Sequence, residues 1–113
     1  MKIYDCFMFN NEDLILDIRL NYLSNYVEKF IIVESKFDHQ GNIKKKFLDL
    51  SKLEKFKNKI VYLLIDKFPE NLSNWERENF QRNYIMKGID DASEDTHIMI
   101  SDVDEIPNIG KLE

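Results

Sequence analysis

A chain of 113 residues that is 43% hydrophobic can bury one modest core and has no room for a second, so it reads as one domain over residues 1–113. Its formal net charge of -5 would repel a nucleic acid, and the basic run Lys44-Lys45-Lys46 reads as a solvated loop or strand edge rather than a binding patch. Cys6 is the single cysteine, which excludes an intrachain disulfide, and no apolar run approaches the roughly 20 residues needed to span a bilayer.

Ile3 to Phe9 is apolar on both alternations, the pattern of a central strand covered on both faces. Asp5 interrupts that run, and a carboxylate in an apolar strand needs a partner, for which Arg19 or a backbone group is expected. Cys6, in the same run, is expected to be a buried thiol with no catalytic role. Asn11 is a candidate helix cap ahead of the acidic pair Glu12 and Asp13, and Leu16, Leu20, Leu23 and Val27 recur at helical spacing, so a helix is expected over about Glu12 to Ser24.

Phe30 to Glu34 is a short β-branched run that ends in a carboxylate, as a buried parallel strand does where it meets solvent. Ser35 to Lys46, with Gly41, reads as the loop that follows, and His39 within it as a solvated side chain. Ser51 and Glu54 make a capping-box pair that opens a short helix through about Lys57, and Ile60 to Ile65 is the third strand. Asp66 to Asn74, with Pro69, is a turn-rich connection, after which a second capping box, Ser73 and Glu76, opens a longer helix over about Asn74 to Ile89. Trp75, Tyr84, Ile85 and Ile89 are taken as its apolar side, so Trp75 is expected in the core. Asp90 to Thr96 is turn-like, and His97 to Ser101 is the fourth strand, running directly into Asp102.

Strands that alternate with helical crossovers predict an α/β fold, a mainly parallel Rossmann-like sheet with helices on both faces. Ligands bind such sheets outside the carboxyl ends of the strands, near a topological switch point. Those ends carry Asn10 to Glu12, Glu34, Asp66, and the cluster Asp102, Asp104 and Glu105, so acidic groups gather on one rim.

Asp102 and Asp104 stand two apart after an apolar strand, so in extended backbone they project to the same side and can reach one ion. Mn²⁺ and Mg²⁺ take oxygen ligands, and Mg²⁺ is commonly held by one or two carboxylates with water and substrate phosphates completing the shell. A cation held there would stabilise charge growing on a leaving diphosphate. Taken alone the triplet is a weak signal, since Asp-x-Asp also simply caps a turn, here one ended by Pro107. Glu34 can serve as an acceptor toward a nucleoside or merely meet solvent, and Arg77 can pair with a diphosphate or with its neighbours Glu76 and Glu78.

The segment Ile100-Ser-Asp-Val-Asp-Glu-Ile-Pro107 resembles glycosyltransferase family 17. Tyr4-Asp-Cys-Phe-Met-Phe-Asn-Asn-Glu12, Ile31-Ile-Val-Glu-Ser35 and Trp75-Glu-Arg-Glu-Asn-Phe-Gln-Arg-Asn83 look like earlier blocks of the same family in the same order, so the resemblance covers nearly the whole chain. It implies a GT-A-like fold, a UDP-sugar donor such as UDP-N-acetylglucosamine, a Mn²⁺ or Mg²⁺ requirement, inversion at the anomeric carbon, and a glycan or polysaccharide acceptor. Carried over by position, Asp104 is the metal ligand, Asp102 contacts ribose or metal, Glu105 supports them, and Arg82 and Asn83 face the donor nucleotide.

Members of that family continue past this motif, so the sheet is expected to be cut after its fourth strand and the catalytic base to lie beyond Glu113. The edge and apolar face left by such a cut make a homodimer an expectation. A lysine-, asparagine- and isoleucine-rich chain with no secretory signal pattern is expected in the cytoplasm or peripheral to a membrane, from a microbial or viral source. Two other readings stay open at this stage. One is a non-catalytic domain that keeps the nucleotide-sugar fold to bind a partner; the other is a sugar-phosphate nucleotidyltransferase, whose usual Gly-rich loop has no counterpart in Asn10-Asn-Glu-Asp13.

Overall fold

A computed structural model describes residues 2–37 and 42–106, apart from the side chain of Asn74; the expectations for His39, Gly41 and Pro107 lie outside the described residues. Strands β1 (Lys2–Phe9), β2 (Lys29–Ser35), β3 (Ile60–Ile65) and β4 (Thr96–Asp102) form one parallel sheet in the order β3-β2-β1-β4. Helix α1 (Asp13–Leu23) joins β1 to β2, a 3₁₀ helix (Leu50–Phe56) joins β2 to β3, and α2 (Asn74–Tyr84), continued by a 3₁₀ turn (Ile85–Gly88), joins β3 to β4. The expected α/β alternation is therefore present, with all four strand positions read correctly to within a residue or so.

The absence of a polar face on β1 has its cause in two apolar layers. Ile3, Phe7 and Phe9 pack with Phe30 and Ile32 of β2 against Leu16, Leu20 and Leu23 of α1 and Leu53 and Phe56 of the 3₁₀ helix. Tyr4 and Cys6 face the other way and pack with Ile31, Val33, Ile65 and Ile85, under Phe80 and Tyr84 of α2. Each fully buried Leu, Ile or Phe in these layers contributes about 1.5–3 kcal/mol. A strand sandwiched in this manner must be apolar on successive residues, which is why no period-2 alternation shows in its sequence.

The steps from β1 to β2 and from β2 to β3 run in one direction, and the step from β3 to β4 returns across the sheet to the far side of β1. Right-handed crossovers place the returning helix on the opposite face. The sheet thus reverses between β1 and β4, and the crevice outside their carboxyl ends is the switch point. β4 forms an edge of the sheet, and on its α2 side Ile98 is half-buried while Ile100 is 45% exposed.

Several local expectations are corrected. Asn11 does not cap α1: it takes a left-handed φ of 57°, and Glu12 stands at the cap position without a side-chain bond. Ser51 does not open a capping box, because Asp49 is the cap and its carboxylate accepts from the Ser51 N–H at 3.0 Å. The Ser73–Glu76 capping box does form, with both reciprocal bonds at 3.2 Å. The helix expected to continue to Ile89 tightens after Tyr84, where Gly88 must pass so close to β2 that an added Cβ would stand 2.6 Å from Ile31 Cγ2. Trp75 is 72% exposed, not core, because at 3.6 residues per turn it stands opposite Tyr84, which faces the sheet.

Candidate functional site

The turn after β4 is held from beneath. Val103 is 3% exposed and packs into the α1-side core, which leaves its neighbours Asp102 and Asp104 exposed on the rim. The Glu105 N–H donates to the Asp102 carbonyl at 3.0 Å, and the Glu105 carboxylate accepts from the Asp102 N–H at 3.0 Å, so Glu105 closes the turn on itself.

Below the turn lies Arg19 of α1, with no exposed surface. Its guanidinium makes a two-pronged bond to Asp5 of β1, Nε to Oδ2 at 2.8 Å and Nη2 to Oδ1 at 2.6 Å, which is the partnership expected for that buried carboxylate. The remaining donors reach β4 and its turn: Nη1 donates to the carbonyls of Asp102, Val103 and Glu105 at 2.8, 3.2 and 3.1 Å, and Nη2 to Ser101 Oγ at 2.6 Å. The cation also lies 4.5 Å from the centre of the Phe7 ring. A buried ion pair is stable only when its remaining donors and acceptors are satisfied, and here the acceptors are the carbonyls of the Asp-x-Asp turn.

A cleft of about 510 Å³ opens between this turn, the end of β1 and one face of α2. Arg77, Glu78, Gln81 and Arg82 line it from α2, a spacing that puts them along one face of the helix. Asp102 and Asp104 line the opposite wall, and Asn10, Glu12, Ser35, Phe37 and Lys44 close its β1 and β2 end. The wall carries three cationic side chains (Lys44, Arg77, Arg82) and four carboxylates (Glu12, Glu78, Asp102, Asp104), so it offers an anionic ligand no net attraction without an added cation. Arg77 rests with its guanidinium 4.9 Å from the Phe68 ring centre, a contact that steers it away from the Glu76 and Glu78 pairing considered above.

Of the residues singled out in the sequence, Arg77, Arg82, Asp102 and Asp104 therefore come together around one cleft. Asn83 is exposed on α2 and does not line it. Glu34 is fully buried: Oε2 accepts from Lys44 Nζ at 2.6 Å, and Oε1 accepts from the Tyr62 hydroxyl at 2.5 Å and the Leu48 N–H at 3.0 Å. Burial, and after it the bond to Glu34, push the Tyr62 hydroxyl above its ordinary range and keep it a proton donor. The Glu34 carboxylate thus pins the segment after β2 to the sheet, and Lys44, its side chain 4% exposed, is among the residues at that end of the cleft.

Among the described residues no group of three or more His, Cys, Asp or Glu side chains is placed to hold a metal ion unaided. Two exposed carboxylates with no nitrogen or sulfur donor are a hard, incomplete donor set, which fits Mg²⁺ or Mn²⁺ when phosphate oxygens and water fill the other positions.

A parallel sheet with helices on both faces, with a mixed-charge cleft at its switch point, defines an α/β, Rossmann-like fold. The sequence matches glycosyltransferase family 17 across residues 1–113, and the chain belongs to that family. It is similar to the beta-1,4-mannosyl-glycoprotein 4-beta-N-acetylglucosaminyltransferases of Rattus norvegicus and Homo sapiens, at 24% identity over 116 residues in each case. The match to the mouse protein, Mus musculus, is 23% identical. These matches cover 94% of the chain and 22% of each relative's length, so the chain spans less than a quarter of the curated relatives it resembles. No solved structure gives a significant match. No helix among the described residues is long and apolar enough to cross a membrane.

Sequence reasoning missed Lys44, which was read with Lys45 and Lys46 as solvated; it is 7% exposed, whereas the other two are exposed. The signal was available in Glu34: a carboxylate that ends an apolar run needs a partner as much as Asp5 does. Asn10 and Glu12 stand on the rim where the end of β1 was expected to place them, whereas Gln81 and Phe37 carried no such signal and enter the site only through the fold.

Proposed function

We propose that this chain is the donor-binding part of a glycosyltransferase that holds a UDP-sugar, with UDP-N-acetylglucosamine as the leading candidate, in the cleft at the β1–β4 switch point, for transfer to a glycan or polysaccharide acceptor. The observation that carries the reading is the convergence of Arg77 and Arg82 with Asp102 and Asp104 around that cleft. Membership of glycosyltransferase family 17 supports it, as does similarity to the mammalian beta-1,4-mannosyl-glycoprotein 4-beta-N-acetylglucosaminyltransferases.

In this reading Asp104 and Asp102 hold Mn²⁺ or Mg²⁺, which would supply charge stabilisation to the departing diphosphate when bound. Arg77 and Arg82 meet phosphate oxygens from the other wall, a role for which a guanidinium is suited by its paired donors. Arg19 and Glu105 fix the backbone of the turn, so its two carboxylates arrive without a reorganisation cost at each binding event. The wall's near balance of charge gives the cation its purpose, since a diphosphate would otherwise face Glu12, Glu78, Asp102 and Asp104 unscreened.

The test is a calorimetric titration of uridine diphosphate into the 113-residue chain with and without Mn²⁺, repeated on Asp104→Ala. Binding that requires the metal and falls at least about 10-fold in the variant is expected from the loss of a charged ligand. Heat that is indifferent both to metal and to the substitution would rule the reading out and favour a non-catalytic role for the fold.

A further inference from the structure

We propose that the outward face of α1 is a self-complementary interface, through which two copies of this chain pair with their α1 helices antiparallel about a two-fold axis.

α1 is apolar on two sides, and the sheet uses only one of them. Leu16, Leu20 and Leu23 lie in the core, with Arg19 beside them. On the other side Leu14, Ile18 and Tyr22 recur every fourth residue, and Tyr26 follows at the same spacing in the turn that ends the helix. These four side chains are between 47% and 72% exposed. A helix that is apolar all round belongs inside a larger body, and a contiguous exposed apolar row marks a contact surface where a lone exposed residue would not. A row at this spacing is also the ridge by which two helices interdigitate.

What covers the row follows from its own symmetry. Antiparallel pairing sets Leu14 against Tyr26 of the second copy and Ile18 against Tyr22, so each aliphatic side chain meets a ring. The charges agree with this register. Asn21 Nδ2 donates to Asp17 Oδ1 at 3.2 Å, and Lys55 of the 3₁₀ helix donates to Asn21 Oδ1 at 3.3 Å, which makes one polar flank along the row. A two-fold axis perpendicular to the helices keeps that flank on the same side of both copies and reverses its order. Lys55 of one copy then falls within a helical turn of Asp17 of the other. Among the described residues neither has an ion-pair partner of its own.

At such exposure the four side chains offer about 500 Å² per copy. A pair then buries about 1,000 Å², the lower bound for a specific interface, and a dimer of micromolar Kd is expected. The β4 edge offers less, since Ile100 is its one exposed large apolar side chain among the described residues. α1 and α2 lie on opposite faces of the sheet, so pairing through α1 leaves the α2-walled cleft open.

Sedimentation velocity of the 113-residue chain from about 1 to 500 μM, which brackets micromolar association, is compared with Ile18→Glu and with Leu14→Gln at the most exposed position of the row. The wild type is expected to be dimeric at the upper end, and each variant to weaken the dimer by about 10-fold or more while keeping its circular dichroism. Cross-linking reads the register. The Leu14→Cys chain mixed with the Tyr26→Cys chain should form a mixed disulfide on oxidation, whereas Leu14→Cys alone should not, its two thiols standing roughly 18 Å apart along the axis. Cys6 is buried and stays out of the exchange. A wild type monomeric throughout, a folded variant that dimerises as well as wild type, or a Leu14→Cys chain that links to itself as readily as to its mixed partner would each overturn the inference. So would a monomer that floats with phosphatidylglycerol–phosphatidylcholine vesicles, which would give the row to a lipid surface. None of these readouts involves a nucleotide, so the donor-site reading stands or falls separately.

Discussion

The guanidinium of Arg19 donates to the main-chain carbonyl of Asp102 at 2.8 Å, across 83 positions of sequence. A helix on one face of the sheet thereby sets the backbone that aims a carboxylate from the rim. The same side chain is bonded twice to Asp5, so stability of the core and shape of the turn pass through one residue. These two roles separate by mutation.

Arg19→Met leaves the Asp5 carboxylate buried and unpaired, and urea unfolding is expected to report a loss of about 3–5 kcal/mol. In Asp5→Leu/Arg19→Met the stranded charge is gone, so most of that stability should return. The turn carbonyls still lack their donor, and Mn²⁺-dependent affinity for uridine diphosphate should stay below wild type. Affinity that recovers together with stability would show that Arg19 has no part in shaping the turn.

Cys6 gives a pH-dependent signature. Burial first, and the charge of Asp5 second, push its thiol from 9.0 up to about 12, with Arg19 pulling in the opposite direction. The folded chain therefore keeps a proton that the unfolded chain releases, so this contribution to stability is complete below pH 9 and is lost as pH rises toward 12. In Cys6→Ala the urea midpoint should fall less steeply over that alkaline range. Native protein at pH 8 should resist iodoacetamide until denaturant is added; rapid labelling without denaturant would contradict the burial.

Gly88→Ala tests the close passage of the 3₁₀ turn over β2. Its methyl group would stand 2.6 Å from Ile31 Cγ2 and 3.3 Å from Leu63 Cδ1, and Ile31 is fully buried with little room to yield. A loss of about 1–3 kcal/mol in chemical denaturation is expected from such overpacking. A neutral or stabilising result, as for glycine to alanine in an open helix, would mean that the layer relaxes freely.

The strands were legible because a doubly covered parallel sheet writes itself as apolar runs, and Ile3 to Phe9, Phe30 to Glu34 and Ile60 to Ile65 are such runs. The Asp5–Arg19 pair was legible for the opposite reason, as a charge that an apolar strand cannot leave alone. Local patterns did less well wherever two residues competed for one job. Ser51 and Glu54 have the same spacing as Ser73 and Glu76, yet only the second pair forms a box, because Asp49 stands ready to cap the first helix. Trp75 was placed inside by its chemistry and outside by its angular position on α2, which the positions of Phe80 and Tyr84 determine. Arg77, Asp102 and Asp104 could be named from type and spacing and Arg82 from the family resemblance, whereas Lys44 needed the backbone reversal at Phe37 and Ile43, a feature with no local signature in its lysine-rich surroundings.

Order of synthesis and order in space disagree in this sheet. β1, α1 and β2 leave the ribosome before β3, but the neighbour on the other side of β1 is β4, which follows β3 in the chain. Until β4 docks, Arg19 has no turn carbonyls to grip, and the Asp5 pair faces water along an open edge. Contacts of such long sequence separation form late, since the intervening chain must first be closed into a loop. The rim is thus completed only when β4 docks, and a nascent chain stalled before residue 96 would carry three strands and both α-helices but no Asp-x-Asp turn to offer a ligand.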